Sequence, residues 1–114
     1  MLKKEFRIRK QKDFENVFGK GFYSSDRFLT LKATENKMPF SRFGFVVSKK
    51  ISKKAVERNR AKRLMSESVR LTDEKIKPGF DVVFISKSGI VNKDLEEVKG
   101  AVEKLLKRSG LLEK

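Results

Sequence analysis

The chain has 114 residues, of which 29 are Lys or Arg and 15 are Asp or Glu, so its formal net charge is +14 at pH 7. This length allows one domain, residues 1–114, with a single small core, and the charge favours a polyanionic partner. Because cysteine and histidine are absent, disulfides, thiolate or zinc sites and His-activated nucleophiles are excluded. No apolar run approaches the length of a membrane span or a secretion signal, so we expect a cytoplasmic protein with no membrane contact.

The hydrophobic pattern predicts a helix, two or three strands, a second helix, a strand and a third helix, an α+β fold in which helices pack on a small sheet. The predicted helices span residues 10–19, 53–71 and 92–109, and the predicted strands span residues 28–33, 43–48 and 81–86. Residues 22–26 either begin the first strand or precede it. Ser52 and Asn92 are the expected N-caps of the second and third helices, and Gly110 is expected to end the third. The strand–helix–strand unit around the second helix is typical of a parallel crossover, which is ordinarily right-handed.

The second predicted helix is strongly basic and two-sided. At 100° per residue, one side collects Ala61, Leu64, Met65, Ser68 and Val69. The opposite side collects Asn59, Arg63, Ser66 and Arg70, flanked by Arg60, with Lys62 at the border and Arg58 near the apolar arc. A cationic side that only aids solubility is the simpler interpretation, but solubility requires mixed signs of charge rather than a stripe of arginine. Arginine binds phosphate oxygens bidentately, so the pattern indicates a nucleic-acid partner.

Phenylalanines alternate with cations in the N-terminal segment, where Phe6, Phe14 and Phe18 lie among Lys and Arg. Exposed aromatic rings stack on unpaired bases while cations follow the phosphate backbone. The spacing of Phe14 and Phe18 is equally typical of the apolar side of a short helix, and from spacing alone we favour a core role.

The carboxylates offer a weaker alternative. Asp94, Glu96 and Glu97 are best explained as the acidic start of the third helix. A stand-alone nuclease would instead use Asp81, or Asp94 and Glu97, with Mg²⁺. A structural protein of the ribosomal type is a second alternative, whereas a DNA-binding domain is disfavoured because no helix-turn-helix pair precedes the basic helix.

Three segments together resemble the bacterial ribonuclease P protein subunit. They are "RIRKQKDFENVFGKG", "FGFVVSKKISKKAVERNRAKRL" and "GFDVVFISKSG", and the Arg58-Asn59-Arg60 sequence is the most specific part. The resemblance implies a small mixed sheet with the element order α-β-β-β-α-β-α and a left-handed crossover around the basic helix. It also implies an accessory protein in which a catalytic RNA, with Mg²⁺ held by that RNA, removes the 5′ leader of precursor tRNA. The partners implied are the catalytic RNA and precursor tRNA, with no protein partner, no catalytic residue and no metal site on the protein itself.

The resemblance also assigns residues to two RNA sites. The site for the catalytic RNA comprises Arg58, Asn59, Arg60, Lys62, Arg63 and Arg70. The leader-binding cleft comprises Phe14, Phe18, Lys49, Lys50, Arg9 and Lys12, which shifts our interpretation of the two phenylalanines towards stacking. Ser66 replaces an arginine that is frequent in the family and is expected to leave the cationic side weaker at that turn, and the "ISKKA" segment lacks a common glycine.

Overall fold

The computed structural model describes residues 4–72 and 75–112, which form one four-stranded sheet with three helices. The predicted order α-β-β-β-α-β-α is confirmed. The helices are α1 (Gln11–Lys20), α2 (Ala55–Thr72) and α3 (Leu95–Arg108), and the strands are β1 (Phe22–Ser25), β2 (Leu29–Glu35), β3 (Arg42–Val46) and β4 (Phe80–Ser86). Among the described residues, no helix has the length and apolar character that crossing a membrane requires.

The sheet is mixed, with the strand order β1-β2-β4-β3. β2 pairs antiparallel with both β1 and β4, whereas β3 and β4 are parallel and are connected through α2. The parallel crossover around the basic helix is therefore confirmed, and the family resemblance predicts its hand to be left. Beyond β3, the N-terminal segment adds a short pairing in which the Ile8 amide donates to the Phe43 carbonyl at 2.8 Å.

The two faces of the sheet carry cores of different size. Alternate β2 residues Leu29, Leu31 and Ala33 are fully buried against α2 and α3, as the alternation in the sequence predicts. The core on this face also takes in apolar residues of the other elements: Phe43, Ala61, Met65, Val69, Val82, Phe84, Val98, Val102, Leu105 and Leu106. On the other face α1 covers a smaller cluster of Ile8, Val17 and Val83. The basic helix is thus held by its apolar side.

An ion-pair network fixes the first helix to the sheet. Arg42 donates to both carboxylate oxygens of the buried Asp81, at 2.9 and 2.6 Å, and to Asp13 of α1 at 3.3 Å. The Asn36 amide also donates to Asp81, at 2.9 Å. The hydrogen bonds to Asp81 raise the pKa of the Arg42 guanidinium, with the charge of Asp13 adding to the effect and burial opposing it. Asp81 is consequently a structural carboxylate.

The ends of several elements differ from the sequence predictions. Asn92 is not the N-cap of α3, because Asp94 occupies that position and accepts a hydrogen bond from the Glu97 amide at 2.9 Å. Ser52 lies before the N-terminal turn of α2, where the Lys54 carbonyl accepts the bond from the Arg58 amide. The Ser52 hydroxyl instead accepts from the Lys54 amide at 3.1 Å. Gly110 does follow α3, with a positive φ of 72°.

β1 is a strand of its own, which settles the placement of residues 22–26. It forms a hairpin with β2, and the turn is held by Asp26, whose carboxylate accepts from the amides of Phe28 and Leu29 at 2.9 Å each. Such a side-chain-to-backbone turn is what Asp commonly provides. The aspartate is therefore the sequence signal that would have separated the two strands.

Replacing Arg42 tests the network that joins α1 to the sheet. The Arg42→Ala variant leaves the Asp81 carboxylate buried without its cation, so we expect the free energy of unfolding to fall by about 3 kcal/mol. The Arg70→Ala variant removes an exposed ion pair with Glu67 and is expected to leave stability unchanged. Urea unfolding followed by circular dichroism measures both. Equal stability of the two variants would contradict the role given to Asp81.

Candidate nucleic-acid interface

The exposed side of α2 forms a cationic surface that we call the α2 ridge, defined by Asn59, Lys62, Arg63 and Arg70. All four side chains are exposed, while Ala61, Met65 and Val69 on the other side of the helix are buried. Asn59, Lys62 and Arg63 line a shallow concavity of about 380 Å³ together with Val56. Val56 is 76% exposed and was not singled out from the sequence, although it lies one helical turn before Asn59.

The cations of α2 differ in their hydrogen-bond partners. Arg58 donates to the Ser52 carbonyl at 2.9 Å, and Arg70 pairs with Glu67, which lowers the pKa of Glu67 and raises that of Arg70. Within the part of the chain that the structure describes, the side chains of Lys62 and Arg63 have no hydrogen-bond or ion-pair partner. These two side chains are the ones most available to an anion.

Arg60 lies across from the start of α3 rather than alone in solvent. Its guanidinium donates to the Lys93 carbonyl at 2.9 Å and to the Val91 carbonyl at 3.3 Å. The two carbonyls lie in the loop before the N-cap Asp94. Arg60 thus connects α2 with α3, a role that spacing within one helix does not reveal.

On the opposite face of the sheet, α1 lies across a row of paired residues. Gly44, Val83 and Lys32 are neighbours on adjacent strands, so their side chains share one face. Phe14 packs so closely on Gly44 that a Cβ there would lie 2.6 Å from the ring. The Lys32 ammonium nitrogen lies 5.4 Å from the centre of the Phe18 ring. This identifies the sheet face that adjoins the predicted cleft.

The two phenylalanines of α1 have unequal exposure. Their ring centres are 6.4 Å apart, but Phe14 is half-buried and packs with the smaller core, whereas Phe18 is 42% exposed. Phe6, the other aromatic of this segment, instead forms an edge-to-face pair with Phe40 at 5.5 Å. Packing in the smaller core therefore accounts for the position of Phe14, whereas Phe18 has exposed ring surface that a base could contact.

The predicted cations of the cleft fall into two groups. Lys49 and Lys50 are exposed in the turn that follows β3, beyond Val46 on the face that α1 covers. Arg9 and Lys12 lie elsewhere, in an open groove of about 1020 Å³ that neither Phe14 nor Phe18 lines. The other residues of that groove are Glu5, Arg7, Lys10, Asp13, Asn16, Met38, Phe40 and Arg42. The structure thus does not bring all six predicted cleft residues together.

The carboxylates considered for a metal-dependent nuclease have structural partners. Asp81 is engaged by Arg42 and Asn36, and Asp94 caps α3 with Glu96 and Glu97 in the first turn. Over residues 4–72 and 75–112, no group of three or more acidic side chains is arranged to hold a metal ion. The interpretation of the acidic cluster as a helix start is confirmed.

Comparison with known proteins gives one consistent answer. The family model described as Ribonuclease P matches residues 2–110. The chain belongs to the ribonuclease P protein family. It is 39% identical over 106 residues to the ribonuclease P protein component of Alkaliphilus oremlandii, covering 93% of this chain and 92% of that protein. It is 42% identical over 109 residues to the same component of Clostridium botulinum strain Loch Maree, covering 95% and 97%.

Solved structures of the ribonuclease P protein have the same fold. The protein from Staphylococcus aureus superposes with a TM-score of 0.86 at 27% identity, covering 94% of this chain and 97% of that one. The protein from Thermotoga maritima gives a TM-score of 0.82 at 32% identity, covering 90% and 96%. The α+β fold predicted from the sequence is therefore that of the ribonuclease P protein family.

One predicted feature of the ribonuclease P basic helix is wrong for this chain. Ser66 was expected on the exposed cationic side, where it would leave a gap, but its side chain is completely buried. Ser66 lies only about 60° around the helix from the buried Val69, so packing against the rest of the molecule extends further around α2 than the apolar residues indicate. By angle Ser66 lies between Lys62 and Arg70, so its burial leaves the α2 ridge without an exposed side chain at that position.

The contacts of Arg60 predict a role in stability that Arg63 lacks. The Arg60→Met variant keeps the aliphatic stem but loses the bonds to the Val91 and Lys93 carbonyls, so we expect the free energy of unfolding to fall by about 1 kcal/mol. Backbone amides of the loop before α3 should exchange faster in the same variant. The matched Arg63→Met variant should change neither quantity. Urea unfolding and hydrogen exchange measure the two effects. Identical exchange in both variants would contradict the role given to the bonds between Arg60 and the loop before α3.

Proposed function

We propose that this protein is the protein component of ribonuclease P and acts in the cytoplasm on precursor tRNA. In this proposal the α2 ridge binds the catalytic RNA, and the cleft beside α1 holds the single-stranded 5′ leader. The observation that carries the proposal is the availability of Lys62 and Arg63 to an anion, in a chain whose family partners a ribonuclease P RNA. The RNA, and not the protein, is the catalyst that cleaves the leader.

The α2 ridge acts through phosphate neutralisation. Lys62 and Arg63 project from a helix whose other side is fixed in the core, so the backbone that carries the cations is in place before RNA binds. Asn59 adds a donor and an acceptor for a base edge or a ribose. Mg²⁺ bound by the RNA supplies the metal chemistry of hydrolysis. Reduced phosphate repulsion around the RNA strands then favours a compact RNA fold.

Use of the RNA to hold Mg²⁺ agrees with the carboxylates of the protein. Asp81 is occupied by Arg42 and Asn36, and Asp94 by the amide of Glu97. Freeing Asp81 for a metal would leave the Arg42 side chain without its main partner. The protein therefore contributes binding and orientation, while the groups that activate water belong to the RNA.

The cleft gives the enzyme a way to distinguish substrate from product. Precursor tRNA carries the leader and mature tRNA does not, so any contact to the leader favours the precursor. A base stacked on the exposed ring of Phe18 contributes about 1–3 kcal/mol, and in this proposal Lys49 and Lys50 contact phosphates of the leader. One such contact is enough to favour substrate over product severalfold.

Removing the two cations without a partner tests the α2 ridge. The Lys62→Ala/Arg63→Ala double variant should bind the catalytic RNA more weakly. Its plot of log affinity against log salt should be shallower by about 1.4–1.8, because two fewer phosphates are neutralised. The control is the Lys104→Ala/Lys107→Ala variant, which removes the same charge from exposed positions of α3. Equal slopes for the two double variants would contradict binding through the ridge.

Removing the exposed ring of Phe18 tests the proposed contact with the leader. In the reconstituted holoenzyme, Phe18→Ala should reduce the preference for precursor over mature tRNA by about 1–3 kcal/mol and leave the affinity for mature tRNA unchanged. Phe22→Ala is the matched control, because Phe22 is 44% exposed but lies on the other face of the sheet beside Phe80. Binding titrations with both tRNAs measure the preference. An unchanged preference in Phe18→Ala would contradict the binding of the leader in the cleft.

A further inference from the structure

Tyr23 is the most exposed aromatic residue of β1 and occupies the edge of the sheet. Its side chain is 72% exposed, and it is the single tyrosine of a chain without tryptophan. In the register of β1 and β2, Tyr23 lies directly opposite Lys32. Directly opposed residues share a face of the sheet, so Tyr23 extends the row of Gly44, Val83 and Lys32.

α1 covers this row only as far as Lys32. Phe14 lies against Gly44, Val17 packs in one cluster with Val83, and Phe18 lies beneath the ammonium group of Lys32. The helix ends at Lys20, and Gly21 leads the chain into β1. The next position in the row is therefore Tyr23, whose ring continues the aromatic surface past the end of the helix.

The spacing suits a chain of stacked and charged groups. The Cβ atoms of directly opposed residues are about 4.5–5.5 Å apart, so Lys32, whose ammonium group lies 5.4 Å from the Phe18 ring, is the residue between Phe18 and Tyr23 in this row. Aromatic faces take bases, and a cation placed between them takes the intervening phosphate. The order of the three side chains matches the alternation of bases and phosphates along a single strand.

Packing within the protein does not account for Tyr23. Over residues 4–72 and 75–112 it forms no aromatic pair and no side-chain hydrogen bond, whereas its neighbour Phe22 pairs with Phe80 at 6.5 Å. Tyrosine is well suited to an exposed binding role, because its ring offers a large rigid contact area and its hydroxyl stays hydrated.

We propose that Tyr23 stacks on an unpaired base of single-stranded RNA as the strand leaves the cleft, with Lys32 contacting the adjoining phosphate. The proposal rests on the proposed function of the cleft and extends it by one base on the far side of Phe18. It requires a single-stranded nucleic acid, because the bases of a duplex are already stacked on one another.

Tyrosine fluorescence tests this contact directly, since Tyr23 is the only source of tyrosine emission. An unstructured RNA octamer added to the full chain at low salt should quench the emission strongly, because a stacked base quenches the ring. An octamer of abasic sites carries the same phosphates and should bind with far less quenching. Free N-acetyltyrosinamide corrects for absorption by the RNA. Equal quenching by the two octamers, or none by either when binding is confirmed by anisotropy, would overturn the proposal.

Leader length in the holoenzyme separates this proposal from the function of the cleft. The preference of the wild-type protein for precursor over mature tRNA should increase with leader length and then level off. Tyr23→Ala should level off at a shorter leader, with a preference about five- to tenfold lower, the smaller part of the range for one stacked base. Tyr23→Phe keeps the ring and should match the wild type, and Phe22→Ala is the matched control for an exposed β1 aromatic.

The outcomes have distinct meanings. If the wild type shows a preference that Phe18→Ala reduces but Tyr23→Ala leaves unchanged at every leader length, the contact at Tyr23 is wrong and the cleft retains its function. If the wild-type holoenzyme shows no preference for the precursor at any leader length, the leader-binding function itself fails. If Tyr23→Ala and Tyr23→Phe lose the preference equally, the hydroxyl and not the stacking ring is responsible, and the proposal is overturned.

Discussion

The packing of α2 on the sheet is the constraint from which the rest of the molecule follows. A helix with this density of positive charge repels itself, and like charges along one surface weaken an isolated helix. Burial of Ala61, Met65 and Val69 in the core that α2 shares with α3 and β3 supplies the free energy that holds it helical. The same burial leaves the cations no direction to project except outward. The core thus positions the α2 ridge as well as stabilising the fold.

The sheet separates two kinds of chemistry onto its two faces. One face is a conventional apolar core beneath α2 and α3, and the other is only partly covered by α1. Gly44 allows α1 to approach closely, because a side chain at that position would occupy the space of the Phe14 ring. Arg42 then ties α1 to β3 and β4 through Asp13 and Asp81. A short helix that could not persist alone is therefore held at a defined place beside the cleft.

The long periodic segments were predictable from the sequence because their patterns report the face that is buried. The apolar sides of α2 and α3 repeat over several turns, and the alternation in β2 assigns its residues to two faces without ambiguity. β1 is only four residues long and half exposed, so its pattern carries too little information to separate it from β2. The aspartate at position 26 was the better signal, since the turn depends on one side chain rather than on periodicity.

The arrangement of the site was less predictable, since it depends on which elements meet. The burial of Ser66 and the bonds of Arg60 to the loop before α3 arise from tertiary packing that a helical projection does not contain. The separation of Arg9 and Lys12 from Phe18 has the same origin, because Arg9 precedes α1 and Lys12 lies about 120° around the helix from Phe18. Sequence motifs gave the residue types of both predicted RNA sites, and the fold decided which of them lie together.

In the proposed function, the position of α1 gives one small domain two distinct ways to bind RNA. On one side of α1 lies a groove rich in Arg and Lys, which would attract RNA electrostatically and independently of sequence. On the other side lie Phe18, Lys32 and the sheet edge, where stacking requires unpaired bases. In the proposed function, paired RNA contacts the first surface and the α2 ridge, whereas the second surface takes only unpaired bases. The helix would then separate folded RNA from a single strand, which is the distinction that leader binding requires.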